Sequence, residues 1–89
     1  MTDIREAVSA PHPGVILREK LADRHWSQAD LACVIDRAPS MVNQIVTGKR
    51  GISARTAVEL AAAFGTTSEF WMRVQSAFDL HGHARGYTQ

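Results

Sequence analysis

Apolar residues recur at three- and four-residue intervals along most of this chain, and each such run is bounded by residues that start or stop helices. Ile16, Leu17 and Leu21, following His12-Pro13-Gly14, predict a first helix over about 13–24. Leu31, Ala32 and Ile35 predict a second over 28–35, with Ser27 as its cap and Asp30 at the positive end of the helix dipole. Trp26 precedes that cap and Leu31 sits at the fourth helical position, the spacing of a hydrophobic staple. Val42, Ile45 and Val46 predict a third helix over 39–47, because Pro39 suits a first turn and Gly48 a left-handed stop. After Gly51, Ser53 caps a fourth helix over 54–64 whose stripe is Ala57, Leu60, Ala61 and Phe64, closed by Gly65. Thr66 or Thr67 caps a fifth over 67–80, with Thr66 and Glu69 at capping-box spacing and Phe70, Trp71, Val74 and Phe78 as its apolar stripe.

The pattern describes one all-α domain of five helices over residues 11–80, and 89 residues with 45% apolar content leave no material for a second. Residues 1–10 mix charged and small side chains without a sustained period and read as a flexible arm that orders against a partner. Residues 81–89 read as a flexible tail. The single cysteine, Cys33, excludes an internal disulfide and lies off the apolar stripe, so it is expected reduced and partly exposed. With no signal peptide and no apolar run long enough to span a bilayer, a cytoplasmic protein without membrane contact is expected.

The second and third helices, joined by a tight turn, form a helix-turn-helix. With Val42, Ile45 and Val46 turned inward, Ser40, Met41, Asn43, Gln44 and Thr47 form an outer face that is short, polar and uncharged. Asn and Gln amides pair with base edges, adenine being the preferred bidentate match. The net charge is only +1, yet its distribution is uneven: Arg37, Lys49, Arg50 and Arg55 give residues 37–58 a charge of +4, and the remainder carries −3. Positive charge therefore lies on and after the third helix, where a phosphate backbone would run. No phosphate loop, paired carboxylate set or nucleophile constellation is present, and His81-x-His83 has no Cys or carboxylate at ligand spacing, so no enzyme, metal or cofactor is expected. The fifth helix holds one of two Trp and two of three Phe residues. They either pack internally or supply a homodimer interface, for which Phe70, Trp71, Met72, Val74, Gln75 and Phe78 are the candidates.

Ser27-Gln28-Ala29-Asp30-Leu31-Ala32 with Ile45-x-x-Gly48-Lys49-Arg50 resembles the signature of the Cro/C1-type helix-turn-helix family, with its lambda-repressor-like fold. His12-Pro13-Gly14-x-Ile16-Leu17 and Gly65-Thr66-Thr67-Ser68-Glu69-Phe70-Trp71-Met72, with Gln75 and Phe78-Asp79-Leu80, resemble the HigA-type antitoxins within it. The resemblance covers roughly residues 12–80. It implies a dimer that represses its own operon and neutralises a RelE/HigB-like ribonuclease toxin encoded beside it, the DNA-bound protein lying on the nucleoid. It also implies roles for residues: Gln28 at a phosphate, Pro39, Ser40, Asn43 and Gln44 toward bases, and Thr47, Lys49 and Arg50 on the backbone. The chain departs from the pattern at Val15, where an acid is frequent, at Asp36, where a turn glycine is usual, and at Ala38, where Ser or Thr would cap. A stand-alone repressor without a toxin, and a protein-interaction module without DNA activity, are the alternatives.

Overall fold

Helices form where the spacing places them. The computed structural model describes residues 10–82, and contains α1 (Pro13–Arg24), α2 (Gln28–Ile35), α3 (Pro39–Val46), α4 (Ala54–Phe64) and α5 (Ser68–Ala77), followed by a π-helical turn (Phe78–Gly82). Among the described residues there is no strand. The expected arm, apart from Ala10, and the tail beyond Gly82 lie outside the described residues. His81 and Gly82, assigned to the tail from sequence, belong instead to the π turn that prolongs α5.

Local chemistry fixes the helix ends. Ser27 Oγ accepts from Asp30 N at 3.0 Å while Asp30 Oδ2 accepts from Ser27 N at 2.8 Å, so α2 opens on a reciprocal capping box. Ser53 caps α4 through Thr56 N at 3.2 Å. At α5 the cap is Thr67, which accepts from Phe70 N at 3.0 Å. The expected Thr66–Glu69 box does not form, because Thr67 is the N-cap and Glu69 therefore falls at the second helical position; the Thr66 hydroxyl instead accepts the indole N–H of Trp71 at 2.9 Å. That bond satisfies the single polar group of a side chain that is otherwise wholly buried. Ala38 stands at the start of α3 with no side-chain cap, and Asp36 closes α2 at φ 57°, the left-handed region that favours glycine.

Leu17, Leu21, Leu31, Val42, Ile45, Leu60 and Trp71 make one core between all five helices. Trp71 is 0% exposed, and its ring centroid lies 6.2 Å from that of Phe64, which in turn sits 5.5 Å from Trp26. Trp71 is therefore withdrawn from the candidate subunit interface: it is the centre of the core, where truncation to Ala costs about 3–5 kcal/mol.

α1 reaches α3 through a close approach that only glycine allows. His12 Nδ1 caps α1 by accepting from Gly14 N at 2.9 Å, and Pro13 and Gly14 are both buried. A Cβ on Gly14 would fall inside the van der Waals shell of the Ile45 carbonyl oxygen and 2.9 Å from that of Val46. The start of α1 thus abuts the last turn of α3.

Candidate nucleic-acid interface

α3 is held by its apolar edge, Val42, Ile45 and Val46 being buried, which leaves Ser40, Asn43 and Thr47 exposed and Gln44 half-exposed. Pro39, also exposed, is its first residue. The amides of this face are already oriented by neighbours. Asn43 Nδ2 donates to Gln28 Oε1 across the helix-turn-helix at 3.0 Å, which joins the start of α2 to the middle of α3. Gln44 Oε1 accepts from Arg50 Nε at 2.9 Å. Thr47 turns its hydroxyl back onto the Asn43 carbonyl at 2.8 Å. Asn43 keeps its carbonyl oxygen and Gln44 its amino group for a further partner, so the pair still offers both an acceptor and donors.

Past Gly48, at φ 81°, the chain doubles back, and the Gln44 carbonyl accepts from both Lys49 N, at 2.8 Å, and Arg50 N, at 3.1 Å. The backbone amides of Gly48, Lys49 and Arg50 are used internally. What Lys49 and Arg50 present outward is their side chains, both residues being exposed. Uncharged amides flanked by cations suit a groove floor flanked by phosphates.

Two expectations change here. Met41, placed on the outer face by spacing, is half-buried and packs against the core, because it lies only one residue from Val42 at the edge of the stripe. Arg37 does not contribute free positive charge: its guanidinium makes a two-pronged ion pair with Glu59 of α4, at 2.8 and 3.1 Å. The hydrogen bond that Arg37 donates to the Glu59 carboxylate raises its pKa, against a lowering by desolvation. Arg55 lies 3.6 Å from the same carboxylate but remains 79% exposed. The cationic set on this side of the molecule is Lys49, Arg50 and, partly screened, Arg55.

The helix-turn-helix family pattern matches residues 17–71 of the chain. The protein belongs to the Cro/C1-type helix-turn-helix family. Among its relatives, "Virulence-associated protein I" of Dichelobacter nodosus is 40% identical over 77 residues, covering 85% of this chain and 71% of the relative. A solved HigA-family addiction module antidote protein from Coxiella burnetii superposes with a TM-score of 0.82 at 38% identity, covering 88% of this chain and 86% of that one. The antitoxin HigA of Pseudomonas aeruginosa, solved with its higBA promoter, superposes with a TM-score of 0.76 at 40% identity, covering 88% and 83%.

Against this family framework, sequence reasoning missed three residues around α3. Gly14 sets its distance from α1. Arg18, exposed on α1, places Nη2 3.4 Å from the Val46 carbonyl at the end of α3. Glu59 neutralises Arg37 and lies one residue beyond the acid-free stretch that made the region look uniformly basic. Only its i,i+4 relation to Arg55 is readable locally.

The candidate dimer residues divide as well. Gln75 is engaged within the chain, its Oε1 accepting from Ile52 N at 2.6 Å. Phe78 meets the His12 ring edge-on at 4.8 Å. Phe70 and Val74 line an apolar groove of about 270 Å³ with Ile16 and Ala77, and Met72 is half-buried beside the core. No helix of the described residues is long and apolar enough to cross a membrane.

Proposed function

We propose that this protein is the antitoxin of a type II toxin-antitoxin pair, which binds operator DNA as a homodimer, represses its own operon and neutralises a RelE/HigB-like ribonuclease toxin. The observation that carries the reading is the α3 face itself: Asn43 and Gln44 held by Gln28 and Arg50, between the start of α2 and the Lys49-Arg50 loop. Asn43 and Gln44, with Ser40 and Pro39, read base edges in the major groove. Gln28, Thr47, Lys49, Arg50 and Arg55 contact the phosphates on either side. The HigA relatives, one of them solved with its promoter, support the antitoxin over a stand-alone repressor.

The dimer in this reading uses the part of α5 that the core leaves partly open, Phe70, Met72 and Val74, and presents two recognition helices to two half-sites. A mobility-shift assay on the DNA upstream of the gene tests operator binding. Co-expression with the adjacent open reading frame tests neutralisation: rescue of growth and co-purification of the two products support the antitoxin. Operator binding beside a harmless neighbour leaves a repressor, and neither activity leaves an interaction module.

A further inference from the structure

The loop between α3 and α4 carries Lys49 and Arg50, and it is fastened at two points. On its α3 side the Gln44 carbonyl holds the amides of both residues. On the other side the fastening comes from α5, which is distant in sequence: Gln75 Oε1 accepts from Ile52 N at 2.6 Å, and Ile52 is only 4% exposed. Gly51 permits this approach, since a Cβ there would lie 2.8 Å from Gln75 Oε1 and 3.1 Å from its Cδ and Nε2. At its other end the same amide donates from Nε2 to Asp79 Oδ1 at 2.9 Å.

This geometry explains why the residue is a glutamine. A backbone N–H only donates and an ionised carboxylate only accepts, so the group between them needs an acceptor on one side and a donor on the other. Glutamate would turn an oxygen toward Asp79, and methionine of similar length would take the acceptor from the Ile52 amide and the donor from Asp79. Asp79 orients Gln75, Gln75 holds Ile52, and Ile52 fixes where the basic loop leaves the core.

We propose that Gln75 is a positioning residue for DNA binding, which sets the standoff of the Lys49-Arg50 loop from the phosphate backbone. The proposal rests on the DNA-binding reading above. A residue that acted on stability alone would change the melting temperature and leave the ionic contacts of the folded protein unaltered.

The test uses the full chain at a temperature where every variant is folded, with affinities for operator and random DNA measured by fluorescence anisotropy across a salt series. Gln75→Met and Gln75→Glu should each weaken both DNAs together and reduce the salt slope by about one per protomer. The double variant Gln75→Glu, Asp79→Asn preserves net charge and re-forms both bonds, the new asparagine donating and the new glutamate accepting, so it should recover most of the affinity and the slope. Wild-type slope in Gln75→Met, or a double variant no better than Gln75→Glu, overturns the proposal. Hydrogen exchange of the Ile52 amide separates the two readings. If the wild-type chain protects that amide, Gln75→Met exposes it and yet the wild type binds neither DNA, the clamp exists but the DNA reading fails and the positioning role falls with it. If Gln75→Met leaves Ile52 protected, the clamp itself is wrong while operator binding by the wild type still stands.

Discussion

Substituting Gly14 by alanine sets two known effects against each other. Gly14 is the second residue of α1, and Ala is favoured over Gly in helices by up to about 1 kcal/mol, so propensity alone predicts a more stable protein. At this position the added Cβ meets the Ile45 carbonyl oxygen, with the Val46 oxygen at 2.9 Å and the Ile45 carbonyl carbon at 3.0 Å. All three atoms are backbone, so no rotamer change relieves the contact. α1 and α3 must separate, and the gap opens between Leu17 on one side and Val42 and Ile45 on the other, all 0–1% exposed. A gap of ~0.5–1 Å forfeits about a quarter to a half of the dispersion energy of the atoms facing it, and overpacking of this kind costs about 1–3 kcal/mol or more. Because all three contacts are with backbone, the steric cost falls in the upper part of that range, about 2–3 kcal/mol, and exceeds the propensity gain of about 1 kcal/mol, for a net loss of about 1–2 kcal/mol. In a domain of this size that corresponds to a fall of roughly 5–15 °C in melting temperature. Thermal unfolding followed by circular dichroism measures it directly. A Gly14→Ala protein that melts at or above the wild-type temperature would refute the close approach of α1 to α3.

Other substitutions probe the turn, the DNA face and the subunit contact. Ala38→Ser should add about 0.5–1 kcal/mol by capping α3, and Asp36→Gly about 1 kcal/mol by relieving a left-handed non-glycine residue; a drop in urea midpoint for either contradicts the turn geometry. Gln44→Ala should cost about 1–3 kcal/mol on operator DNA and little on random sequence, as a competition titration at fixed salt will show. Arg50→Ala should lower the salt slope by about one per protomer. Because Arg50 also holds the Gln44 amide at 2.9 Å, it should in addition narrow the gap between operator and random DNA, and a uniform loss would mean that the Gln44 contact is idle. For the proposed dimer through α5, sedimentation at micromolar concentration should show the wild type as a dimer and Met72→Glu as a monomer; a persisting dimer moves the interface away from α5.

Much of the fold was legible in the sequence because its signals are local. The Ser27/Asp30 spacing, Pro39 at a helix start, and Gly48 and Gly65 at helix ends each act within a few residues, so periodicity and caps placed all five helices. The errors occur where a distant residue intervenes. Thr66 looked like a cap until the Trp71 indole required its hydroxyl, and Trp71 looked like interface material because composition does not tell which aromatics the core absorbs. Arg37 looked like a free cation because Glu59 lies 22 residues away in sequence. The polar face of α3 was legible except at Met41, which packs against the core. The ties that orient it, Gln28 to Asn43 and Arg50 to Gln44, needed three dimensions.

The Arg37–Glu59 pair also bears on how the protein is partitioned over a chromosome. Every cation on the DNA-facing side strengthens attachment to any sequence, with the exponent of the salt dependence rising by about 0.9 per phosphate neutralised. By pairing with Arg37, Glu59 leaves the proposed DNA-binding surface with one fewer free cation per chain. It does so without touching Asn43 and Gln44 of α3, to which the proposed function assigns the discrimination between sequences. The millions of competing non-operator sites in a genome then retain less of the protein. In the proposed function, a larger fraction of the molecules therefore stays free to find the operator.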